Sequence, residues 1–378
     1  MDKLLLSSGL SLIITFFSIP VIIQVAKQKK LFDEPDERKV HKAVIPTLGG
    51  LGIFAGFMMA MLLCTPSGAN NSLQYFVAAF TVMFFLGLKD DILILSATKK
   101  FAGQVIAAGI LFQFGDVQLS NMHGFLGIHE IPYALSVALT ILTVVLITNS
   151  FNLIDGVDGL AGSLGILTTI IFGAYFYYIG QLGYAVMAFS LTGGLLSFLI
   201  YNFSPAKIFM GDTGSLLLGL VNSILVIKFI NFSSASNSLL NIPSAPAIGF
   251  AILMIPLFDT LRVFGLRILS RRSPFSPDRN HIHHFLLDLG FNHRKVTIAL
   301  ISANIFFIGG AFLLRDLGTT VVLGILMVAG LLATYTVYSL RLKKKNSLRE
   351  LTQNTEEKEL IKSHKILSLV SDAVEVEG

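Results

Sequence analysis

The chain has 378 residues, 53% of them hydrophobic and only 13% charged, with a mean hydropathy of +0.74. An average soluble domain carries roughly a quarter charged residues, so this composition speaks against a soluble globular fold and equally against disorder, which needs low hydrophobicity. The single cysteine, Cys64, excludes an internal disulfide framework and a cysteine-based zinc finger, and the net charge of +5 is read by location rather than as a nucleic-acid footprint.

A helix crossing a bilayer needs about 20 mostly apolar residues. Eleven stretches qualify: 4–26, 48–64, 73–88, 101–114, 133–147, 160–179, 184–203, 216–230, 247–261, 296–314 and 319–340. The fourth is short and reads as a tilted or half-inserted segment. The first is long for a signal peptide, and Lys27, Lys29 and Lys30 follow it with no small-residue cleavage site. The expected fold is therefore an all-α, polytopic membrane protein of about eleven transmembrane helices. A membrane-embedded unit covers 1–345, and the polar tail 346–378 reads as a short cytoplasmic helix or a loose extension.

Lys and Arg set the orientation. They crowd the loops after the first, third and seventh spans, the segment 262–295 and the tail; of the 28, only Lys3, Lys228 and Arg315 fall on the other side. The N-terminus is expected outside and the C-terminus in the cytoplasm. The basic cluster 341–345 reads first as a topology marker in contact with anionic lipid. Loops on the outer side are bland: 115–132 carries Asp116, Glu130, His123 and His129 but no basic residue.

Polar chemistry gathers at the inner side in four clusters, and ionisable groups at membrane depth are costly and usually functional. The first is Lys89-Asp90-Asp91, with Lys99 and Lys100 behind it. Adjacent carboxylates repel, and a nearby cation relieves them. In the second, Asn149, Asn152, Asp155 and Asp158 recur every three residues, stacking polar groups on one side of a helical backbone. It lacks the closing glutamate and Asp-x-Asp pattern of an EF-hand. The third runs from Phe209 through Gly211, Asp212, Thr213 and Ser215 at the start of the eighth span, and suits a helix N-terminus, which binds anions.

Asp259 and Arg262, at the inner end of the ninth span, have the i, i+3 spacing of a local ion pair. The fourth cluster holds Pro274, Pro277, Asp278, Arg279, His281, His283 and His284. With no cysteine beside them and no zinc-protease spacing, the histidines suit an anionic or sugar ligand better than zinc.

Oxygen donors without thiols favour a hard cation, Mg²⁺ or Mn²⁺, usually held by one or two protein oxygens and by substrate phosphates. Lysine, arginine and helix N-termini are the usual partners of phosphate. A transporter is the competing class, but carriers hold polar groups near the midplane and often show repeats; this chain does neither.

The four clusters, in this order and spacing, resemble the polyprenyl-phosphate N-acetylhexosamine-1-phosphate transferases over residues 30–340. The histidine loop is similar to the branch that starts common antigen, O-antigen and teichoic-acid linkage units. Leu286, where the phospho-MurNAc-pentapeptide translocases tend to carry Glu, separates it from that branch. The resemblance implies transfer of a sugar-1-phosphate from a cytosolic UDP-N-acetylhexosamine to undecaprenyl phosphate at the inner membrane of a bacterium, releasing UMP. It implies Asp212 as the principal Mg²⁺ ligand with Asn152 nearby. Asp90, supported by Asp91 and Lys100, would position or deprotonate the lipid phosphate, and Asp155 would stand with these catalytic carboxylates. Asp158, Asn202 and a stacking Phe209 would recognise uridine, and Arg279, His281, His283 and His284 the sugar or pyrophosphate; Asn149 joins the substrate-binding set. Single displacement and a two-step path through Asp90 or Asp91 are both open, with the first preferred. Which sugar is used, and whether the chain is a monomer or a homodimer, are open too.

Overall fold

The computed structural model describes residues 2–29, 32–33, 45–66, 72–233, 242–273 and 279–376, from 350 onward by backbone alone. Lys30, Arg38, Lys39 and Lys42 of the first loop, and Pro274, Pro277 and Asp278 of the histidine loop, lie outside the described residues.

The architecture is all-α, 80% helical. In chain order it runs α1 (Asp2–Lys29), β1 (Phe32–Asp33), β2 (Ile45–Pro46), α2 (Gly49–Cys64), α3 (Leu73–Leu93), α4 (Ala97–Gln113), β3 (Asn121–Phe125), β4 (Ile128–Glu130), α5 (Tyr133–Ile154), α6 (Leu160–Tyr178), α7 (Leu182–Asn202), α8 (Gly211–Ser233), α9 (Ala245–Ile252), α10 (Met254–Leu269), α11 (Ile282–Asp288), α12 (His293–Leu313) and α13 (Thr319–Val376). The strands form two small antiparallel pairs, β1 with β2 and β3 with β4.

All eleven apolar stretches are helical. Among the described residues, seven helices are long and apolar enough to cross a membrane, or eight when the bent pair α9–α10 is taken as one. The chain is thus an integral membrane protein. Of the three that fall short, α2, α3 and α4, length accounts for two; α3 has 21 residues and carries the charged Lys89, Asp90 and Asp91 near its end. With 16 and 17 residues, α2 and α4 reach only about 24–26 Å at 1.5 Å per residue, less than the ~30 Å hydrocarbon thickness.

Helix α8 is the axis of the bundle. Every residue from Thr213 to Ile230 is buried, and α2, α3, α5, α6, α7 and α9 pack around it. Two of its interior donors bond within the helix: Asn222 Nδ2 donates to the Leu218 carbonyl and Ser223 Oγ to that of Leu220; Asn222 Oδ1 is buried without a partner in the protein. Such bonds to the helix backbone are how polar side chains are tolerated where no water reaches. By contrast α1 and the membrane portion of α13 are only 22% buried along their apolar windows; they form the rim, with the rest of their apolar surface left for lipid.

Two details shape the ends of the bundle. α9 and α10 meet at an 89° bend. The freed backbone groups are stitched by one buried side chain of α12: Asn304 Oδ1 accepts from Ile255 N (2.9 Å), and its Nδ2 donates to the Ile252 carbonyl (3.0 Å). Near the C-terminal end of α8, Asp116 pairs with Lys228 Nζ at 2.9 Å. The loop that lacks a basic residue in sequence takes its cation from the far end of α8.

Candidate functional site

The polar clusters separated along the chain converge, in their described residues, at one end of the bundle. Asp90 and Asp91 are consecutive on the last turns of α3, so their side chains leave the helix in different directions. Asp90 Oδ2 receives Lys100 Nζ of α4 at 2.8 Å, and its other oxygen accepts the Leu95 amide. Lys100 Nζ also contacts Asp212 Oδ2 of α8, bridging the two carboxylates. Asp212 Oδ1 in turn accepts from Asn152 Nδ2 of α5 (2.8 Å), which also reaches Ser215 Oγ at 3.0 Å. Four helix ends thus share one polar knot.

Asp91 does something different. Its Oδ1 accepts from the Asp212 amide (2.7 Å), and its Oδ2 from the Thr213 amide (3.0 Å) and hydroxyl (2.6 Å). It caps α8 from a neighbouring helix and sits where the helix dipole favours an anion. The N-terminal amides that the sequence offers to a phosphate are engaged by this carboxylate. Gly211 makes the approach feasible: its φ is +70°, and a Cβ there would lie 2.1 Å from the Thr47 carbonyl.

Beside the knot lies a cavity of about 380 Å³, within the range of small-molecule sites. Lys100, Gln104, Asn149, Asn152 and Asp155 form one wall; Arg267, His281, His283 and His284 form the other. Asn149 Nδ2 donates to Gln104 Oε1 at 2.8 Å. Removal from water, with Asp212, Asp91 and Asp158 nearby, pushes the Asp155 carboxyl well above the usual carboxylate range.

The histidine wall is anchored by Asp259 of α10. Its Oδ2 meets His281 Nδ1 at 2.9 Å, its Oδ1 accepts from Arg262 Nη2 at 2.7 Å, and both oxygens approach the Ile282 amide at the start of α11. The i, i+3 pair expected from sequence is present, with His281 as its third member. Burial lowers His283 to about 3; burial and then the Arg279 charge lower His284 to about 4. Both rings are neutral at physiological pH. Their Nδ1 atoms are buried without a hydrogen-bond partner in the protein, a condition native interiors rarely tolerate without a reason. His283 closes over Gly156, where a Cβ would come within 3.0 Å of its Nε2. Arg279 is exposed.

Not every residue singled out in sequence reaches the cavity. Asn149, Asn152 and Asp155 line it, but the three-residue repeat breaks as α5 ends, and Asp158 turns away. Asp158 is buried: its amide donates to His293 Nδ1 (3.1 Å), and its Oδ2 accepts the Ala206 amide (3.1 Å). Asn202 is also buried, accepting from the Gly159 amide (2.8 Å) and donating to the Ile208 carbonyl (2.9 Å). The half-buried Phe209 joins its backbone to Pro46 and Gly49. These three brace the turn after α5 and the approach to α8.

Sequence reasoning missed Gln104, Arg267 and His293. The first two carried a signal. Gln104 stands one turn beyond Lys100, and Arg267 lies on the same buried face of α10 as Asp259 and Val263. His293 is adjacent to Asp158 only in the fold.

The family model of glycosyl transferase family 4 matches residues 73–230, which span α3 to α8 and hold the knot. The chain is 32% identical over 322 residues to the probable undecaprenyl-phosphate N-acetylglucosaminyl 1-phosphate transferase of Bacillus subtilis, covering 84% of this chain and 86% of that protein. It is 33% identical over 345 residues to the decaprenyl-phosphate N-acetylglucosaminephosphotransferase of Mycobacterium tuberculosis, covering 84% and 85%. It is 29% identical over 318 residues to the undecaprenyl-phosphate alpha-N-acetylglucosaminyl 1-phosphate transferase of Escherichia coli, covering 82% and 84%. With the knot inside the matched region and the likeness running through most of its length, the chain belongs to glycosyl transferase family 4, the polyprenyl-phosphate N-acetylhexosamine-1-phosphate transferases.

Proposed function

We propose that the protein transfers N-acetylhexosamine-1-phosphate, with GlcNAc as the default sugar, from a UDP-sugar to undecaprenyl or a similar polyprenyl phosphate, releasing UMP. The product would begin a lipid-linked envelope glycan of the common-antigen, O-antigen or teichoic-acid type. One observation carries this reading: a single cavity has on one wall Lys100, held from behind by Asp90 and Asp212, with Asn152 and Asp155 beside it, and on the other an arginine with two unpartnered buried histidine nitrogens. The names of the relatives support the same substrates.

The distribution of Lys and Arg supports an outer N-terminus, a cytoplasmic C-terminus and a site facing the cytoplasm of a bacterial inner membrane. Eleven crossings follow if α2, α3 and α4 also traverse the bilayer.

In the proposed reaction an oxygen of the lipid phosphate attacks the sugar-linked phosphorus of the donor. The bond from that phosphorus to the bridging oxygen breaks, and UMP leaves. A phosphate has its second pKa near 6, so the nucleophile is already largely dianionic at neutral pH. The knot's task is then positioning: Lys100 offers positive charge to the lipid phosphate, and Asp90 holds Lys100 in place. Asp155, whose carboxyl is pushed upward by burial and the neighbouring carboxylates, lines the cavity where the phosphates would lie. His283 and His284 meet the sugar, and Arg267 the pyrophosphate. Asp158 and Asn202 act by fixing the turn that carries Asp155. A direct displacement suits this cavity, where the acceptor and donor phosphates approach one lysine.

The donor set fits a hard divalent cation: Asp90 and Asp212 direct carboxylate oxygens at one point of positive charge, held here by the Lys100 ammonium, with the Asn152 amide beside them and no sulfur. Among the described residues no group of three or more His, Cys, Asp or Glu side chains is placed to hold a metal ion, so Mg²⁺ would need substrate phosphates to complete its shell. Asp212, with Asn152, would hold it, and it would neutralise charge on the pyrophosphate as UMP departs.

The test is purified protein with undecaprenyl phosphate and a panel of UDP-sugars, with and without EDTA, measuring UMP release. UMP release that depends on lipid, on one N-acetylhexosamine donor and on Mg²⁺ is expected; no release with any donor would sink the reading. Robust UMP exchange without lipid would overturn the single displacement.

A further inference from the structure

Arg341 lies in the basic cluster at the inner end of the last span, which the sequence alone explains by topology and lipid contact. In the fold it faces protein. Its Nη2 stands 2.6 Å from Asp288 Oδ2 on α11, and its guanidinium lies 4.7 Å from the ring centre of Phe285 on the same helix. Tyr338, one turn earlier on α13, meets the same ring at 5.7 Å. Arg262 of α10 contributes a second guanidinium 5.5 Å from that ring, and through Asp259 it connects to His281. Phe285 is buried at the centre of this grip.

Helix α11 has seven residues, too few to be stable alone. It carries the histidines of the cavity, so their position depends on what holds it. An ion pair as exposed as Arg341–Asp288 contributes little by itself. The planar guanidinium stacked on a buried ring adds a contact that a lysine ammonium does not reproduce.

We propose that Arg341 is a positioning residue: through Phe285 and Asp288 it fixes α11 to the last membrane helix and thereby sets the histidine wall for the donor. This deepens the transferase reading and rests on it.

The test uses the full chain in lipid nanodiscs, as wild type, R341A, R341K and the charge swap R341D with D288R. UMP release is measured with donor and lipid varied separately, and hydrogen–deuterium exchange is followed over residues 281–290. R341A is expected to raise the donor KM about tenfold, leave the lipid KM unchanged and speed exchange in this segment. R341K, which guards against a general folding defect, is expected to recover part of the loss, and the charge swap to recover the ion pair but not the stack. Unchanged exchange in R341A, or equal rises in donor and lipid KM, would overturn the proposal. If the wild type releases no UMP from any UDP-sugar, the transferase reading falls, while the exchange result still decides whether Arg341 holds α11.

Discussion

Asp90, Lys100, Asn152 and Asp212 stand on α3, α4, α5 and α8, helices of 17 to 23 residues whose ends are locked by bundle packing. His281, His283 and His284 stand on or beside a seven-residue helix pinned by side chains, Asp259 on one side and Arg341 on the other. One wall of the cavity is therefore fixed by the same contacts that make the membrane core. The other is fixed by the buried Phe285 and Leu286 and by a few polar contacts, of which a single substitution can remove a large part. On the proposed reading the rigid wall handles phosphate chemistry, which demands geometry, and the pinned wall handles donor recognition.

The comparison can be broken most directly at the rigid wall. Asp212→Asn keeps the size of the side chain and removes its charge, so UMP turnover is expected to drop about a thousandfold or more with the thermal melt little changed. Near-normal turnover would remove Asp212 from the charge-handling role. On the pinned wall, Asp259→Asn releases His281 and Arg262 together. The expected result is a donor KM about 10–100-fold higher with the lipid KM unchanged, read from separate substrate titrations. His284→Ala, which removes one contact without loosening α11, is expected to raise the donor KM about tenfold, as losing one hydrogen bond of about 1.4 kcal/mol would; a larger effect on lipid use would reverse the assignment of the two walls.

Acid provides a gentler test. His283 in the fold titrates near 3, below the ordinary histidine value of 6.5, because burial disfavours its charged form. Between those two values the unfolded chain binds a proton that the folded chain refuses, so this histidine's contribution to stability is full above pH 6.5 and is lost as pH falls toward 3. Melting temperature measured from pH 7 to 4 is expected to fall, less steeply in His283→Asn; identical slopes would show that burial of this ring is not what acid attacks. The smallest effect is expected from the tail. Deleting 346–378 spares Arg341 and every cavity residue, so turnover should stay within about twofold of the full chain, and complete inactivity of a folded truncation would contradict that.

Sequence patterning made the helices legible because a bilayer demands long apolar runs, and it made the knot legible because charged groups at span ends are rare enough to notice. It was weaker where one rule served two outcomes. Adjacent Asp90 and Asp91 look equivalent in sequence, yet one meets Lys100 and the other caps α8, a division set by which neighbour each side of α3 faces. The run from Asn149 to Asp158 keeps its period only while α5 lasts, so Asp158 leaves the cavity. Gln104 and Arg267 were readable from helical spacing, each one or two turns from a residue already singled out. The grip of Arg341 on Phe285 was not readable, since it joins residues 56 positions apart on elements whose packing no local rule specifies.

The break between α9 and α10 has a mechanical consequence. Leu253 alone separates two helices at 89°, with Asn304 as the fulcrum. Beyond it α10 is a lever about 24 Å long at 1.5 Å per residue, with the histidine wall attached near its middle through Asp259 and Arg262 and with Arg267 toward its far end. A tilt of about 5° at the joint would carry the far end of that lever about 2 Å, and because α10 packs along α5, which holds Asn152, the displacement would reach both walls of the cavity.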